Sequence, residues 1–484
     1  MGTARRIYKN TLYLGSAEVI SKILQFAVML YAARLLSKDS FGKFSFALSL
    51  SFIALVMADM GINTLLVREI SRDKSKAGKH IVNAFSLKLV LSAIVFVFIT
   101  IFLNAFNYPQ ETKSVTYIVW AFTILSTFTD LFYSVFRAFE MMFYDAFLKI
   151  LRMAILAISS LYVLLMGYGL FAFSYTFVMT EIIIVIIAFL IAWNKFLKLK
   201  FSKVASLIDF KFCTTIFRKA LPFGLAVVFG SIYFYIGSVM LSKIRGDAEV
   251  AIYSVAYNLA LAILFIPTVY TNAIYPVLSR CYRESKTSLR LMYEKSFKYL
   301  YIIGLPISVG LYVLSGRIIL FLYGKPYSGA SVALQIISWY LFLKFINFLL
   351  GIVLSSIDQQ GKRMNGQAMT ALFNVALNFY LIPKIGYAGA AWATLFTEIV
   401  LFVLYYWFVS KSLYFFNFSR ILAKPIIAAF AMFLLIKLTH FGLIATILLS
   451  ALAYFIALFI LKAFDKEDYG ILRKILKNES VQAD

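Results

Sequence analysis

The sequence predicts an all-α, polytopic membrane protein with about 14 transmembrane helices, built as two six-helix repeat lobes plus two extra C-terminal helices. Three observations carry this. Of 484 residues, 62% are hydrophobic and 14% charged, with a mean hydropathy of +0.87. A soluble domain carries about 25% charge and could not hide so much apolar surface in one core. Apolar runs of about 20 residues recur along the whole length, each enough to cross a bilayer as a helix. Finally, segments of the first half reappear in the second at a nearly constant offset, the mark of a duplicated unit.

Taken in order, the runs place spans at roughly 12–36, 41–66, 81–103, 115–137, 146–166, 169–193, 217–242, 249–279, 296–316, 328–357, 365–383, 387–409, 424–440 and 442–462. The loops sort by charge. Segments 67–80, 193–219, 280–298 and 410–424, with both termini, hold about 30 Lys and Arg, and the alternate short loops about 7. That asymmetry, with an even span count, places both termini in the cytoplasm. The N-terminus, Met1 to Asn10, is short and basic. The run after it is too long for the apolar part of a cleavable signal peptide.

The repeat is read from two stretches. The hairpin from Ala33 to Glu69 has a weaker copy about 209 residues later, with Arg34 over Lys243 and Phe44-Ser-Phe-Ala over Tyr253-Ser-Val-Ala. Thr180-Glu181-Ile-Ile in span six matches Thr397-Glu398-Ile-Val in span twelve at an offset of about 217. The expected domains are an N-terminal lobe (1–195), a cytoplasmic linker (196–216), a C-terminal lobe (217–410) and two further helices with a basic tail (411–484). In the linker region Leu207, Ile208, Phe210 and Phe212 alternate with Lys203, Lys211 and Arg218. This fits a segment lying on the membrane surface and equally a simple topology signal.

A charge at the bilayer centre costs at least about 2.5–3.5 kcal/mol on insertion scales, so it faces a partner or water. Lys22, Glu181, Lys344 and Glu398 fall near mid-span. Glu18 and Lys22, spaced i, i+4, share a helix face; they either line a polar lumen between the lobes or form a structural ion pair. Glu181 and Glu398 occupy the same depth in repeat-related helices. They are candidates for proton or Na⁺ coupling, or anchors of spans six and twelve to their neighbours. Asp59, Asp130, Arg137, Glu140 and Arg152 lie in the cytoplasmic third. Asp59 and Asp130 are too short to snorkel far and need partners, whereas Lys88 is expected to snorkel to the cytoplasmic face. Arg34 and Lys243, at the outer ends of spans one and seven, are lumen cations or interface anchors. Span eight carries Pro267 and Pro276 with Asn272 between them, which predicts a broken helix. Its Tyr257 and Asn258 suit a sugar ring, and Tyr is also ordinary at interfaces.

Other chemistries find no support. On a soluble protein the net charge of +25 would suggest nucleic acid. Here the basic residues sit between spans, where they set topology and meet anionic lipid headgroups. Cys213 and Cys281 fall in expected cytoplasmic segments, where a disulfide is not expected. The only histidines are His80 and His440, and no CxxC or HExxH pattern occurs. No catalytic residue, metal or cofactor is expected.

With these residues in place the chain resembles the polysaccharide flippases of the Wzx type, within the multidrug/oligosaccharidyl-lipid/polysaccharide (MOP) exporter superfamily. The residues that carry the resemblance are Ala33-Arg34-Leu35-Leu36, Phe41-Gly42-Lys43-Phe44, Asp59-Met-Gly61, Arg68-Glu69, the hairpin at Tyr253 and the Gly386-Tyr-Ala-Gly-Ala-Ala run. It covers nearly the whole chain. It implies a V-shaped central lumen, alternating access, and a lipid diphosphate-linked oligosaccharide carried from the cytoplasmic to the outer leaflet. It also implies a cationic lining, for which Lys22, Arg34, Arg152, Lys243 and Lys344 are available, with Tyr257, Asn258 and Asn272 for sugars. Glu18, Asp59, Asp130, Glu181 and Glu398 are the candidates for coupling to H⁺ or Na⁺. Spans thirteen and fourteen would border the lipid tail, the chain would act as a monomer, and glycan polymerase or ligase machinery would be its partners. The lipid II flippases of the superfamily resemble it less, because Lys22 to Ala33 reads KILQFAVMLYAA without their arginines. The alternative is a cation-coupled multidrug exporter, a group that usually lacks the last two helices. A membrane glycosyltransferase or polymerase is the distant alternative, since the outer loops are too short to house a catalytic acid pair.

Overall fold

A computed structural model describes residues 3–197, 205–415, 419–439, 441–465 and 468. His440, Lys203 and the tail 469–484 lie outside them. Among the described residues fifteen α-helices follow one another: α1 (Thr3–Leu35), α2 (Lys38–Asp59), α3 (Ile62–Arg72), α4 (Ala77–Ala105), α5 (Gln110–Ala138), α6 (Met142–Leu165), α7 (Gly169–Ile191), α8 (Phe210–Arg245), α9 (Asp247–Ile263), α10 (Phe265–Glu284), α11 (Lys286–Tyr323), α12 (Ala330–Ser356), α13 (Gln360–Ser412), α14 (Ser419–Leu438) and α15 (Leu443–Ile460). Among the described residues thirteen helical stretches are long and apolar enough to cross a membrane. One of them, α13, is 53 residues long and is two helices joined at a kink at Ile385–Gly386. Counted as two, it brings the spans to the expected fourteen.

Local chemistry explains the breaks. Ser37 caps α2, its side chain accepting from the Ser40 N–H at 3.1 Å. The helix ends where Met60 and Gly61 turn left-handed at φ 44° and 78°. Span eight breaks at Leu264, between α9 and α10, so that Pro267 falls in the first turn of α10, where a missing N–H costs nothing. Spans eleven and twelve meet at Gly386, φ 56° and ψ −134°, a conformation closed to side chains. A Cβ there would also overlap the Glu249 carboxylate, which accepts from the Tyr387 N–H at 2.8 Å.

The chain packs as two compact units, one of residues 1–262 and 367–390, the other of 263–366 and 391–484. These units record packing; the two six-span lobes expected above are defined by sequence relatedness.

In the first unit α2 is the central helix, touching α5, α8, α4 and α7. Phe44 packs edge-on to Phe173 at 4.8 Å. Lipid leaves little hydrophobic drive between helices, so close packing decides their pairing. The α2–α8 seam is closed by glycine at both ends: a Cβ on Gly42 would overlap the Asp247 carbonyl, and one on Gly224 would come 2.6 Å from the Met60 backbone. Lys88 corrects the snorkelling expectation. It is fully buried, bound to Asp59 at 2.7 Å and to the side chains of Asn63 and Thr127 at 2.9 Å each. Helix depth alone suggested an escape to the interface; partners brought by α2, α3 and α5 made burial cheaper.

In the second unit the segment after α15 folds back onto α11. Asp465 and Asp468 hold Lys295 at 2.7 and 3.0 Å, and both also bind Lys298. The acids cap each other's backbone: the Asp468 N–H donates to Asp465 and the Asp465 N–H to Asp468. Partial burial pushes the Asp465 carboxyl upward, but the Lys295 ammonium, the Asp468 N–H and Lys298 outweigh it and hold the group well below the usual carboxylate range. A depressed folded pKa adds stability that is present above the unfolded value and is lost as pH falls through the folded one. Protection of this segment from protease should therefore stay constant as pH falls to about 4 and disappear only below the normal carboxylate range. Loss of protection between pH 7 and 5 would show that the clasp does not hold Asp465 charged.

Candidate functional site

The first unit contains a cavity of about 240 Å³ among α1, α2, α5, α6 and α7. Three cations line it: Lys22 on α1, and Lys149 and Arg152 one turn apart on α6. Three acids face them: Glu18, Asp130 and Glu181. Phe52, Phe122, Tyr133 and Phe177 supply aromatic wall. At about 30 Å³ of liquid volume per water the space holds several waters or a phosphate with its hydration.

Each charge has a definite setting. Glu181 is fully buried; its carboxylate accepts from Thr129 Oγ1 at 2.7 Å and meets the Arg152 guanidinium at 3.5 Å. Arg152 keeps 29% of its side chain exposed, so its charge reaches the cavity. Lys149 is shared with Asp145 at 3.2 Å, and Asp145 also takes Arg137 at 2.6 Å. Glu18 and Lys22 do not form the ion pair offered as one sequence reading. Lys22 Nζ donates instead to Gln25 Oε1 at 3.4 Å, and Glu18 shares the cavity with Arg152.

Glu398, the repeat partner of Glu181, is equally buried but differently surrounded. Lys344 binds it at 3.2 Å, and Asn347 Nδ2 donates to its carboxylate at 2.8 Å and its carbonyl at 3.0 Å. Lys344 itself is 6% exposed. The triad sits inside the second unit, on α12 and α13, as a sealed polar core. Each acid thus bonds to side chains of neighbouring helices, and of the two only Glu181 borders the cavity.

The remaining candidates lie elsewhere. Arg34 is exposed in the last turn of α1, well along the helix from Lys22. Lys243 donates to the Phe106 carbonyl at 2.6 Å over the Tyr108 ring, which ties α8 to the end of α4. Asp59 is engaged by Lys88. Tyr257 is buried and stacks on Tyr253 at 5.4 Å, Asn258 is half-buried on α9, and Asn272 is exposed on α10. None of these lines the cavity. Sequence reasoning missed Lys149 and Gln25. Their signal was helical spacing, i, i+3 to Arg152 and to Lys22 respectively.

Fourteen apolar spans, with a charged cavity inside the first unit, define a membrane transporter rather than an enzyme, and the fold is that of the MOP superfamily. The structure aligns with the lipid II flippase MurJ in an inward closed conformation (TM-score 0.76, 18% identity, 93% of this chain and 98% of that one). It also aligns with an inward-facing multidrug resistance MATE family transporter (TM-score 0.65, 15% identity, 81% and 95%). The family model "Polysaccharide biosynthesis protein" matches residues 7–282, more than half of the sequence, and the MatE model matches 222–380. The chain belongs to the polysaccharide biosynthesis protein family. Similar proteins include the capsular polysaccharide biosynthesis protein CapF of Staphylococcus aureus (23% identity, 83% of this chain, 99% of that protein). Another is the probable low-salt glycan biosynthesis flippase Agl15 of Haloferax volcanii (22%, 83% of each).

Proposed function

We propose that the protein is a flippase that carries a polyprenyl- or dolichyl-diphosphate-linked oligosaccharide from the cytoplasmic to the outer leaflet by alternating access, for cell-surface polysaccharide or glycan assembly. The observation that carries this is the cavity with Lys22, Lys149 and Arg152 inside a chain of the polysaccharide biosynthesis family. A diphosphate crossing hydrocarbon needs a watered, cationic path, and this is the charge it would meet. The lipid tail stays in the bilayer, with α14 and α15 at its groove. In this reading both termini are cytoplasmic in the cell membrane, as the charge asymmetry of the loops requires. The repeat-related halves 1–195 and 217–410 are the moving lobes, the chain works as a monomer, and glycan polymerase or ligase machinery acts next. The carboxylates beside the cavity leave room for coupling to H⁺ or Na⁺, with Glu181 the member of the matched pair that borders it.

The test uses proteoliposomes with a fluorescent polyprenyl-diphosphate oligosaccharide, scored for outward movement. Wild type should flip it, and Lys22→Ala and Arg152→Ala should each slow flipping at least tenfold, the loss of one charge-assisted contact of about 1.5–3 kcal/mol. No flipping by wild type, with uptake of a cationic dye under a proton or sodium gradient instead, would establish the multidrug-exporter reading that the MatE match favours.

A further inference from the structure

A second cavity, of about 650 Å³, lies in the second unit, apart from the site described above. It opens where α10 ends, α12 ends and α13 begins. Arg280 and Arg283 line it, one turn apart on α10 and so on one helix face. Ser355 and Ser356 share the lining, their hydroxyls donating within α12 to the Gly351 and Val353 carbonyls at 3.0 and 2.8 Å. Ser355 Oγ also accepts from Arg363 at 2.8 Å. The first turn of α13 contributes N–H groups that no side chain caps.

Two acids, Glu284 and Asp358, share this lining. Yet among the described residues neither Arg280 nor Arg283 has an ion-pair partner within 4 Å, while elsewhere in the chain Lys88, Arg137, Lys295, Lys298 and Lys344 are all matched to carboxylates. A pair of guanidiniums beside uncapped N–H groups, with no ion pair drawn to either, is suited to an oxyanion. The planar fork of Arg matches phosphate bidentately. The volume falls within the range of about 300–1,000 Å³ typical of small-ligand pockets, which exceeds a lone phosphate.

We infer that this cavity receives the phosphate or diphosphate headgroup of a lipid at the membrane face where α10 ends. Two sources share that chemistry: the lipid diphosphate of the flippase reading, on which the choice of substrate rests, and an anionic phospholipid of the surrounding leaflet. Arg280 and Arg283 grip the phosphate oxygens, the uncapped N–H groups at the start of α13 add to the attraction, and Tyr275 offers a wall to whatever the phosphate carries.

The experiment uses the full chain in nanodiscs of neutral lipid, titrated with a short-chain prenyl diphosphate and with inorganic pyrophosphate. Both should bind, and Arg280→Gln/Arg283→Gln should weaken each at least tenfold. Arg280→Lys/Arg283→Lys, which keeps the charge but not the fork, should fall between. Arg72→Gln removes an arginine that is 69% exposed on α3 and should change nothing. If phosphatidylglycerol in the nanodisc blocks prenyl diphosphate binding, the occupant is a leaflet phospholipid; if it does not, the occupant is the diphosphate substrate. Unchanged binding in the double Gln variant, or equal weakening by Arg72→Gln, overturns the site. A wild type that binds pyrophosphate through these arginines but never flips would sink the flippase reading alone. One that flips, with binding indifferent to the arginines, would sink this site alone.

Discussion

Lys344→Met should destabilise the protein by about 3–5 kcal/mol in chemical unfolding from mixed micelles, the cost of removing one partner of a buried pair. The carboxylate left behind loses its ammonium and keeps the Asn347 amide in a buried setting, since Lys344 and Glu398 are 6% and 0% exposed. Glu398→Gln alone should also cost several kcal/mol, because it strands the ammonium. Lys344→Met with Glu398→Gln should recover most of the loss, since the amide can still meet Asn347 and no charge remains buried. The repeat-related pair supplies the contrast. Arg152 is 29% exposed and 3.5 Å from Glu181, which keeps Thr129 and borders the cavity, so Arg152→Met should cost less than Lys344→Met. Equal losses at the two positions would mean that the sealed and open environments are not different. The same contrast bears on coupling: Glu181→Gln alone should remove any gradient dependence of transport, and Glu398→Gln alone should leave it.

That contrast shows what the sequence could and could not say. The spans were legible because a helix must supply about 20 apolar residues to cross hydrocarbon, whatever its neighbours. The break in span eight was legible from Pro267, and the division of α13 from the Pro383-Lys-Ile-Gly turn. The matched depth of Glu181 and Glu398 was legible from the repeat. Their partners were not, because these come from helices whose rotation no periodicity in an all-apolar span reveals. Lys88 failed for the same reason: its depth was known, but not that Asp59 and Thr127 would turn toward it. Arg34 and Lys243 carried the right charge at the wrong height, at helix ends beyond the cavity. Lys149 was overlooked because an ammonium near a helix start resembles any topology signal until Arg152, one turn on, is seen to face the same space.

Gly42→Val should have the largest effect on transport of any substitution outside the charged cavity. In the structure α2 approaches the α8–α9 turn so closely that a Cβ at Gly42 would overlap the backbone carbonyl of Asp247, which no side-chain rotation can relieve. The surrounding contacts fix the approach: Asp247 accepts from Ser242 at 2.6 Å, and Lys43 is held by Glu111 at 2.7 Å. Gly224 makes the same demand against Met60 at the opposite end of the seam. Overpacking of this kind costs about 1–3 kcal/mol. The chain can avoid it by parting α2 from α8, so the conformer with a closed seam should lose roughly ten- to a hundredfold in population. A transporter that must return to that conformer in each cycle should slow by the same factor while still inserting and folding. Separation of the helices can be read independently with cysteine in place of Gln25, which lines the cavity from α1, in a Cys281→Ser background. Its reaction with a water-soluble maleimide should speed up in the Gly42→Val chain, and Gly224→Ala should do the same from the other end. Full transport with unchanged labelling in both variants would mean that the α2–α8 seam is ordinary packing and not a closure the protein must make and break.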